Sequence, residues 1–210
     1  DCLTSGLSLH LKFDDDITDG IATDSSGNKL NGFCCSSLCP TYLAGGYSGG
    51  AYDFDGVNNR IKVNYDSALD GMSELTISAW VKPDDCGGGS DNIVKKENSY
   101  ILRMLADCRV SAYIWNNFGN MKIATSSSSL NIGQWTHVAL VYDGSFMRIY
   151  INGVQDGTVT QTGVIYSYSG TDLGIGDDPK GGENIDGSID DVRIYKRALS
   201  ASDIQALASM

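Results

Sequence analysis

A chain of 210 residues, 41% of them hydrophobic, suits one large domain with a real core and excludes a mini-protein held together only by cross-links. Its 15 Lys and Arg against 26 Asp and Glu leave a net charge of −11, which repels a phosphate backbone and excludes nucleic acid as a partner. No stretch approaches the ~18 apolar residues of a membrane helix, and the chain opens at Asp1 without an apolar leader, so it reads as a mature or excised soluble domain with no membrane insertion.

Alternating apolar and polar residues bounded by turn signals recur from end to end. They predict strands over Leu7–Phe13, Ala51–Phe54, Arg60–Val63, Leu75–Lys82, Asn92–Lys96 and Tyr100–Leu105. Further strands are predicted over Arg109–Trp115, Lys122–Thr125, Trp135–Tyr142, Phe146–Ile151, Asp172–Ile175 and Ile189–Tyr195. Asp143-Gly144 and Asn152-Gly153 are strong turn signals between β-rich runs. Only the tail reads as helix, with Ser200 as cap, Asp203 at the third position, and Ile204 and Leu207 on one face. Many strands with almost no helix, 25 glycines and 3 prolines, and neither linker nor repeat, predict a single all-β domain over 1–210, a two-sheet antiparallel sandwich. The two terminal strands are expected to pair, closing an edge that would otherwise invite aggregation.

Six cysteines stand at Cys2, Cys34, Cys35, Cys39, Cys86 and Cys108, without a CxxC pair and with only two histidines, which argues against zinc. Their even number in an acidic, glycine-rich β protein points to an oxidising compartment, hence a secreted or cell-surface location. Asn92–Lys96 and Tyr100–Leu105 should form a hairpin across Glu97-Asn98-Ser99. That returns Cys108 beside Asp91, within reach of Cys86 across Gly87-Gly88-Gly89, and predicts a Cys86–Cys108 disulfide. Cys2, Cys34, Cys35 and Cys39 are left to pair among themselves, the adjacent Cys34 and Cys35 not with each other.

The runs LSLHLKFDDD…ATDSSGNKLNG, GGYSGGAYDFDGVNNRIKV, LTISAWVKP, WTHVALVYDGSFMRIYINGV and GSIDDVRIYKRALSASDIQAL, in that order, resemble the laminin-G-like jelly-roll family of the concanavalin A-like superfamily. The resemblance covers nearly the whole chain, apart from Cys34–Pro40 and Cys86–Ser90, which look like additions. It implies a jelly-roll sandwich, on which lectins, adhesion modules and glycosidases are all built.

The glycosidase branch needs two carboxyls about 5–5.5 Å apart, supplied by alternation on a strand, and here Glu74, Glu97 and Glu183 are the only glutamates and lie far apart. Gly46-Tyr47-Ser48-Gly49-Gly50 matches the nucleophile-elbow string, but a strand follows it where a helix is required, and His10 and His137 both fall inside predicted strands. No enzymatic activity is expected.

The acidic residues are the strongest constellation. Nearly all are aspartate, which suits turns and hard cations. Pairing of the termini brings Asp14, Asp15 and Asp16 beside Asp190 and Asp191, and the loop Asp24–Asn28 can fold over the same end. A Ca²⁺ would relieve the repulsion, and the resemblance implies one at such a place; the expected ligands are Asp14, Asp24, Asn28 and Asp190. Separate water-facing turns are the alternative. A second acidic loop, Gly176–Asn184, is expected to be a solvated turn rather than a second cation or ligand site.

On Arg109–Trp115, alternation sets Ser111, Tyr113 and Trp115 on one face and Val110, Ala112 and Ile114 on the other. Tyr113, Trp115 and Asn116, joined by Arg103 from the neighbouring strand, have the chemistry of a glycan platform; the alternative is that the aromatics simply cover a sheet edge. The expected function is a non-catalytic extracellular binding module for a glycan or an extracellular protein, carrying structural calcium. A spacer or protein-interaction domain without a small ligand is the second reading.

Overall fold

In the computed structural model, residues 3–86 and 90–210 are described, and their regular structure is sixteen strands and one short helix, with two single turns of 3-10 helix. In chain order the first eight strands are β1 (Leu7–Leu11), β2 (Ile21–Ala22), β3 (Gly32–Phe33), β4 (Thr41–Leu43), β5 (Ala51–Asp55), β6 (Ile61–Val63), β7 (Leu75–Pro83) and β8 (Asp91–Lys96). The rest are β9 (Tyr100–Met104), β10 (Arg109–Trp115), β11 (Met121–Ser129), β12 (Thr136–Tyr142), β13 (Phe146–Ile151), β14 (Val154–Thr160), β15 (Leu173–Ile175) and β16 (Asp186–Tyr195), followed by α1 (Ala201–Leu207). Two antiparallel sheets face each other. Sheet A runs β14-β13-β12-β7-β16-β5-β4, and sheet B runs β11-β10-β9-β8-β15-β6-β3-β2. This is the expected all-β jelly-roll sandwich.

The terminal strands do pair, with Leu9 opposite Ile194 and His10 opposite Arg193. β16 is long enough to serve two partners on one edge: Asp186–Ile189 pairs with β5, and Val192–Tyr195 with β1. At the change of partner the register against β7 slips between Asp190 and Arg193, and Asp191 takes a left-handed φ of 51°. That bulge aims Asp190 and Asp191 independently of the alternation on either side.

The inner faces meet in one core. Leu9, Leu11, Ile77, Leu140, Val192 and Ile194 come from sheet A, and Val94, Leu102, Met104, Val110, Ile114 and Ile175 from sheet B, each fully buried. A second apolar cluster lies on the outer face of sheet A, where Ile204 and Leu207 of α1 cover Ala139, Val141, Tyr150 and Tyr195. Ser200 accepts from the Asp203 N–H while the Asp203 carboxylate accepts from the Ser200 N–H, so α1 begins on a complete capping box. Among the described residues no helix is long and apolar enough to cross a membrane.

β8 and β9 form the expected hairpin, and Cys86 is bonded to Cys108 across a Cα separation of 5.3 Å. Cys34 pairs with Cys39, and Cys35 is unpaired and exposed among the described residues. Cys2 lies outside the described residues.

Candidate ligand face and cation site

The four expected calcium ligands fall into two separate pairs. Asp24 is buried and its carboxylate is filled by protein donors. Oδ1 accepts the His10 and Ser26 N–H groups at 3.0 and 2.8 Å, and Oδ2 accepts the Ser26 hydroxyl at 2.8 Å and the Leu30 N–H at 2.9 Å. Asn28 turns its Nδ2 back to donate to the Leu7 and Ser8 carbonyls, each at 3.0 Å. These two residues fasten the 24–30 loop to β1.

Asp14 and Asp190 instead grip one glycine-rich loop from two sides. Asp14 Oδ1 accepts the Gly50 N–H at 3.0 Å, and Asp190 Oδ2 accepts the Ser48 N–H at 2.9 Å. Glycine is required here: a Cβ at Gly46 would stand 2.8 Å from Asp190 Oδ2, and one at Gly49, whose φ is +88°, would collide with Asp14 Oδ1. Asp190 is fully buried, its Oδ1 has no hydrogen-bond partner, and burial pushes its carboxyl up to about 7, with Asp191 adding to the rise and the Ser48 N–H opposing it. Asp191 is drawn away to a 2.6 Å contact with His10 Nε2 and a 3.0 Å pair with Arg193. Asp15 and Asp16 are exposed.

Oxygen chemistry at Asp14 and Asp190, with a buried carboxylate oxygen left unpartnered, fits a hard cation. Asp24 does not fit the same ion, because both of its oxygens are already engaged, and Asn28 is held beside it on β1 by the hydrogen bonds of its amide nitrogen. No three His, Cys, Asp or Glu side chains group for a metal among the described residues, so an ion here would draw the rest of its shell from loop carbonyls and water.

The outer face of sheet B carries the expected platform in altered form. Arg103 lies over the Tyr113 ring at 4.3 Å and donates to the Tyr113 hydroxyl, and Tyr113 and Trp115 are near-parallel, 6.1 Å apart at 21°. Arg103, Tyr113 and Trp115 therefore form one ladder, each half-exposed. Asn116 does not join it. It is buried, donates to the Thr162 carbonyl at 2.7 Å and accepts from the Phe118 and Asn120 N–H groups, so its amide shapes the turn after β10. Phe118, Met121 and Ile123 stand exposed nearby.

The loop Gly176–Asn184 is not a solvated turn. Asp177 is fully buried and accepts the Asp178 and Glu183 N–H groups at 2.7 and 2.8 Å, which folds the loop onto β8. There Lys95 Nζ meets Asp178 at 2.5 Å, Glu183 at 2.6 Å and Glu97 at 3.4 Å. Burial works against the Lys95 ammonium, but its hydrogen bonds to Asp178 and Glu183 prevail and hold it above the ordinary lysine range. A buried residue that sequence alone could not assign, Asn92, donates to Glu183 at 2.7 Å and links this network to Arg103, its partner across the strands.

Asp55, Asp85, Asp91, Asn184 and Asp186 line a cavity of about 310 Å³. Burial, then the charges of Asp85 and Asp186, push Asp91 up to about 6. The folded chain thus keeps a proton that the unfolded chain, with its carboxyl near 4, has already lost, so stability should fall as pH rises from about 4 to 6 and level off above. Asp91→Asn removes that loss. In EDTA we expect the variant to be about 2 kcal/mol more stable than the parent at pH 8 and no more stable at pH 4, by urea midpoints; an equal difference at both values would refute the account.

His137 is buried, with its pKa lowered to about 4 by burial, and lies edge-on to Trp80 at 5.4 Å; Tyr47 stacks on the same Trp80 ring. Ser48 lies in the loop that enters β5 and offers its N–H to Asp190. Both therefore hold structural positions.

A family model described as the concanavalin A-like lectin/glucanases superfamily, of the laminin-G type, matches residues 55–205. The chain belongs to this laminin-G family. Among curated proteins this laminin-G domain is similar to adhesion G-protein coupled receptor V1 of Danio rerio, at 23% identity over 151 residues, 65% of this chain and 2% of the receptor, so it spans a small part of that relative. Among solved structures it is similar to domain 4 of AbnA, an extracellular arabinanase of Geobacillus stearothermophilus, in complex with arabinotriose (TM-score 0.71, 23% identity, 96% of this chain and 98% of that one). The binding domain of Paraclostridial Mosquitocidal Protein 1 has a TM-score of 0.77 at 16% identity, over 98% of this chain and 52% of the other. The ligand-binding domain of botulinum neurotoxin serotype D, solved with N-acetylneuraminic acid, has a TM-score of 0.72 at 18% identity, over 98% and 51%. At these identities the likeness speaks for the laminin-G domain's fold.

Proposed function

We propose that this domain is a non-catalytic extracellular binding module that recognises a glycan on the outer face of sheet B. The observation that carries the reading is the Arg103–Tyr113–Trp115 ladder, which stands half-exposed on a sheet face that no helix covers among the described residues. Aromatic surface flanked by fixed polar groups is what a sugar needs: an apolar ring face beside hydrogen-bonding hydroxyls. Two disulfides fit a secreted or cell-surface setting. The test is a glycan array with and without EDTA, repeated with Trp115→Ala; specific hits that vanish in the variant support the reading, and an empty array sinks it. The exposed Phe118, Met121 and Ile123 beside the ladder favour a second reading, contact with an extracellular protein and no small ligand.

A calcium ion held by Asp14 and Asp190 completes the proposal. When bound, it supplies positive charge that cross-links the 46–50 loop to the seam of β16. Because it binds the folded state alone, Ca²⁺ at a hundredfold excess over Kd should raise the melting temperature of metal-free protein by roughly 5–10 °C. Asp190→Ala should remove that rise, while Asp24→Ala, whatever its own cost, should leave the calcium increment in place. An EDTA-insensitive melting curve and no metal by elemental analysis would dismiss the ion.

A further inference from the structure

A cavity of about 360 Å³ opens on the same outer face of sheet B, between the 168–172 and 178–180 loops, within the size range of small-ligand pockets (about 300–1,000 Å³). Tyr168, 40% exposed, gives it an aromatic wall, and Thr171, Lys62, Asp172, Glu97 and Asp178 give it polar ones. Its place relative to the aromatic ladder is fixed by strand register. Tyr113 is opposite Ile101, Ile101 opposite Lys95, Lys95 opposite Gly174, and Gly174 opposite Lys62. Ladder and cavity thus share one cross-strand row, four strand steps of about 4.8 Å apart, or roughly 19 Å. That is the span of a short oligosaccharide, not of one sugar. Ile101, Lys95 and Gly174 between them are buried, so a ligand that spans both passes over the Lys95–Asp178–Glu183 network rather than over bare strands.

The charges decide which kind. Lys62 pairs with Asp172 at 3.1 Å, and Lys95 pairs with Asp178, Glu183 and Glu97. Counting Lys180 at the rim and Arg103 of the ladder, four cations face four carboxylates, and the chain as a whole carries −11. Among the described residues of this face cations do not outnumber carboxylates, which disfavours a sialate or a sulfate, whereas ion-paired carboxylates keep lone pairs that accept from sugar hydroxyls.

We infer that the cleft of Tyr168, Lys62, Asp172 and Asp178 is a second sugar subsite, and that the ligand is a neutral oligosaccharide lying across sheet B from Trp115 to Tyr168. This rests on the glycan reading above and goes beyond it in naming the second subsite, the chain length and the charge class. The experiment is calorimetry with neutral xylo-, arabino- and malto-oligosaccharides from one to six units, alongside sialylated and sulfated oligosaccharides of matched length. The best neutral series should tighten by about tenfold or more from mono- to tetrasaccharide and then level off, the acidic sugars binding at least about tenfold more weakly. Tyr168→Ala, at an exposed position that leaves melting unchanged, should flatten the length dependence while short-chain binding persists; Trp115→Ala should weaken every length. Length-independent affinity, a preference for acidic sugars, or full binding by Tyr168→Ala overturns the inference while the glycan reading stands. Silence from every sugar overturns both.

Discussion

Asp24→Ala should destabilise the domain by about 3–5 kcal/mol, and by the same amount with calcium or with EDTA. Asp24 is 8% exposed and its carboxylate takes four hydrogen bonds, from three backbone N–H groups and the Ser26 hydroxyl. Deleting it strands those donors where water reaches them poorly, and bonds to a charged acceptor are worth about 1.5–3 kcal/mol each, less whatever the loop recovers by relaxing. For a domain of this size the melting temperature should drop by about 10 °C. Asp24→Asn should fall between parent and alanine variant, because its amide nitrogen opposes donors that the second oxygen accepted. Indifference to Asp24→Ala in EDTA, with a loss confined to calcium-loaded protein, would return Asp24 to the metal and refute its role as a loop anchor.

Removing the Cys86–Cys108 bridge should cost about 3 kcal/mol. The bond closes a separation of 22 residues, and tethering a loop of that length in the unfolded chain accounts for the figure. Cys34–Cys39, with a separation of 5, should matter less, about 2 kcal/mol by the same arithmetic. The double variant Cys86→Ser/Cys108→Ser, followed by urea unfolding, measures the first; Cys34→Ser/Cys39→Ser measures the second. Peptide mapping without reductant must also find Cys86 joined to Cys108. A free thiol at either position, or a larger loss from the short loop, would contradict this assignment.

The legible parts of the fold are those where burial imposes alternation. β7, β12 and β16 are rich in apolar residues, and all three lie in the middle of sheet A, flanked on both sides. β14 was not expected, and its sequence VQDGTVT explains why: it is an edge strand with no buried residue, held by pairing to β13. β2, β3 and β4 are two or three residues long, so their neighbours, not their own propensities, make them strands. At the candidate sites the same division holds. Pairing of the termini follows from the need to close an edge, and it puts Asp190 in its place. Sequence could not show that Asp24 spends both oxygens on its own loop, or that Asn116 turns inward, because hydrogen bonding to local backbone leaves no periodic trace. Tyr168 lies between β14 and β15 in a stretch without strand or helix, so no pattern pointed to its cleft. Arg103 was readable, since alternation puts it on the Tyr113 face.

The helix α1 lying over the outside of sheet A gives the molecule a back and a front. Leu3 packs into the same cluster as Ile204 and Leu207, so the described chain starts and finishes behind sheet A, on the opposite side from Tyr113 and Trp115. A tether at either end, whether a neighbouring segment or a biotin on a sensor chip, would hold the domain by its back and leave the face of sheet B pointing outward. Copies coupled through either end should therefore capture a ligand equally well, whereas random coupling through Lys62 or Lys180 would mask the very surface being assayed.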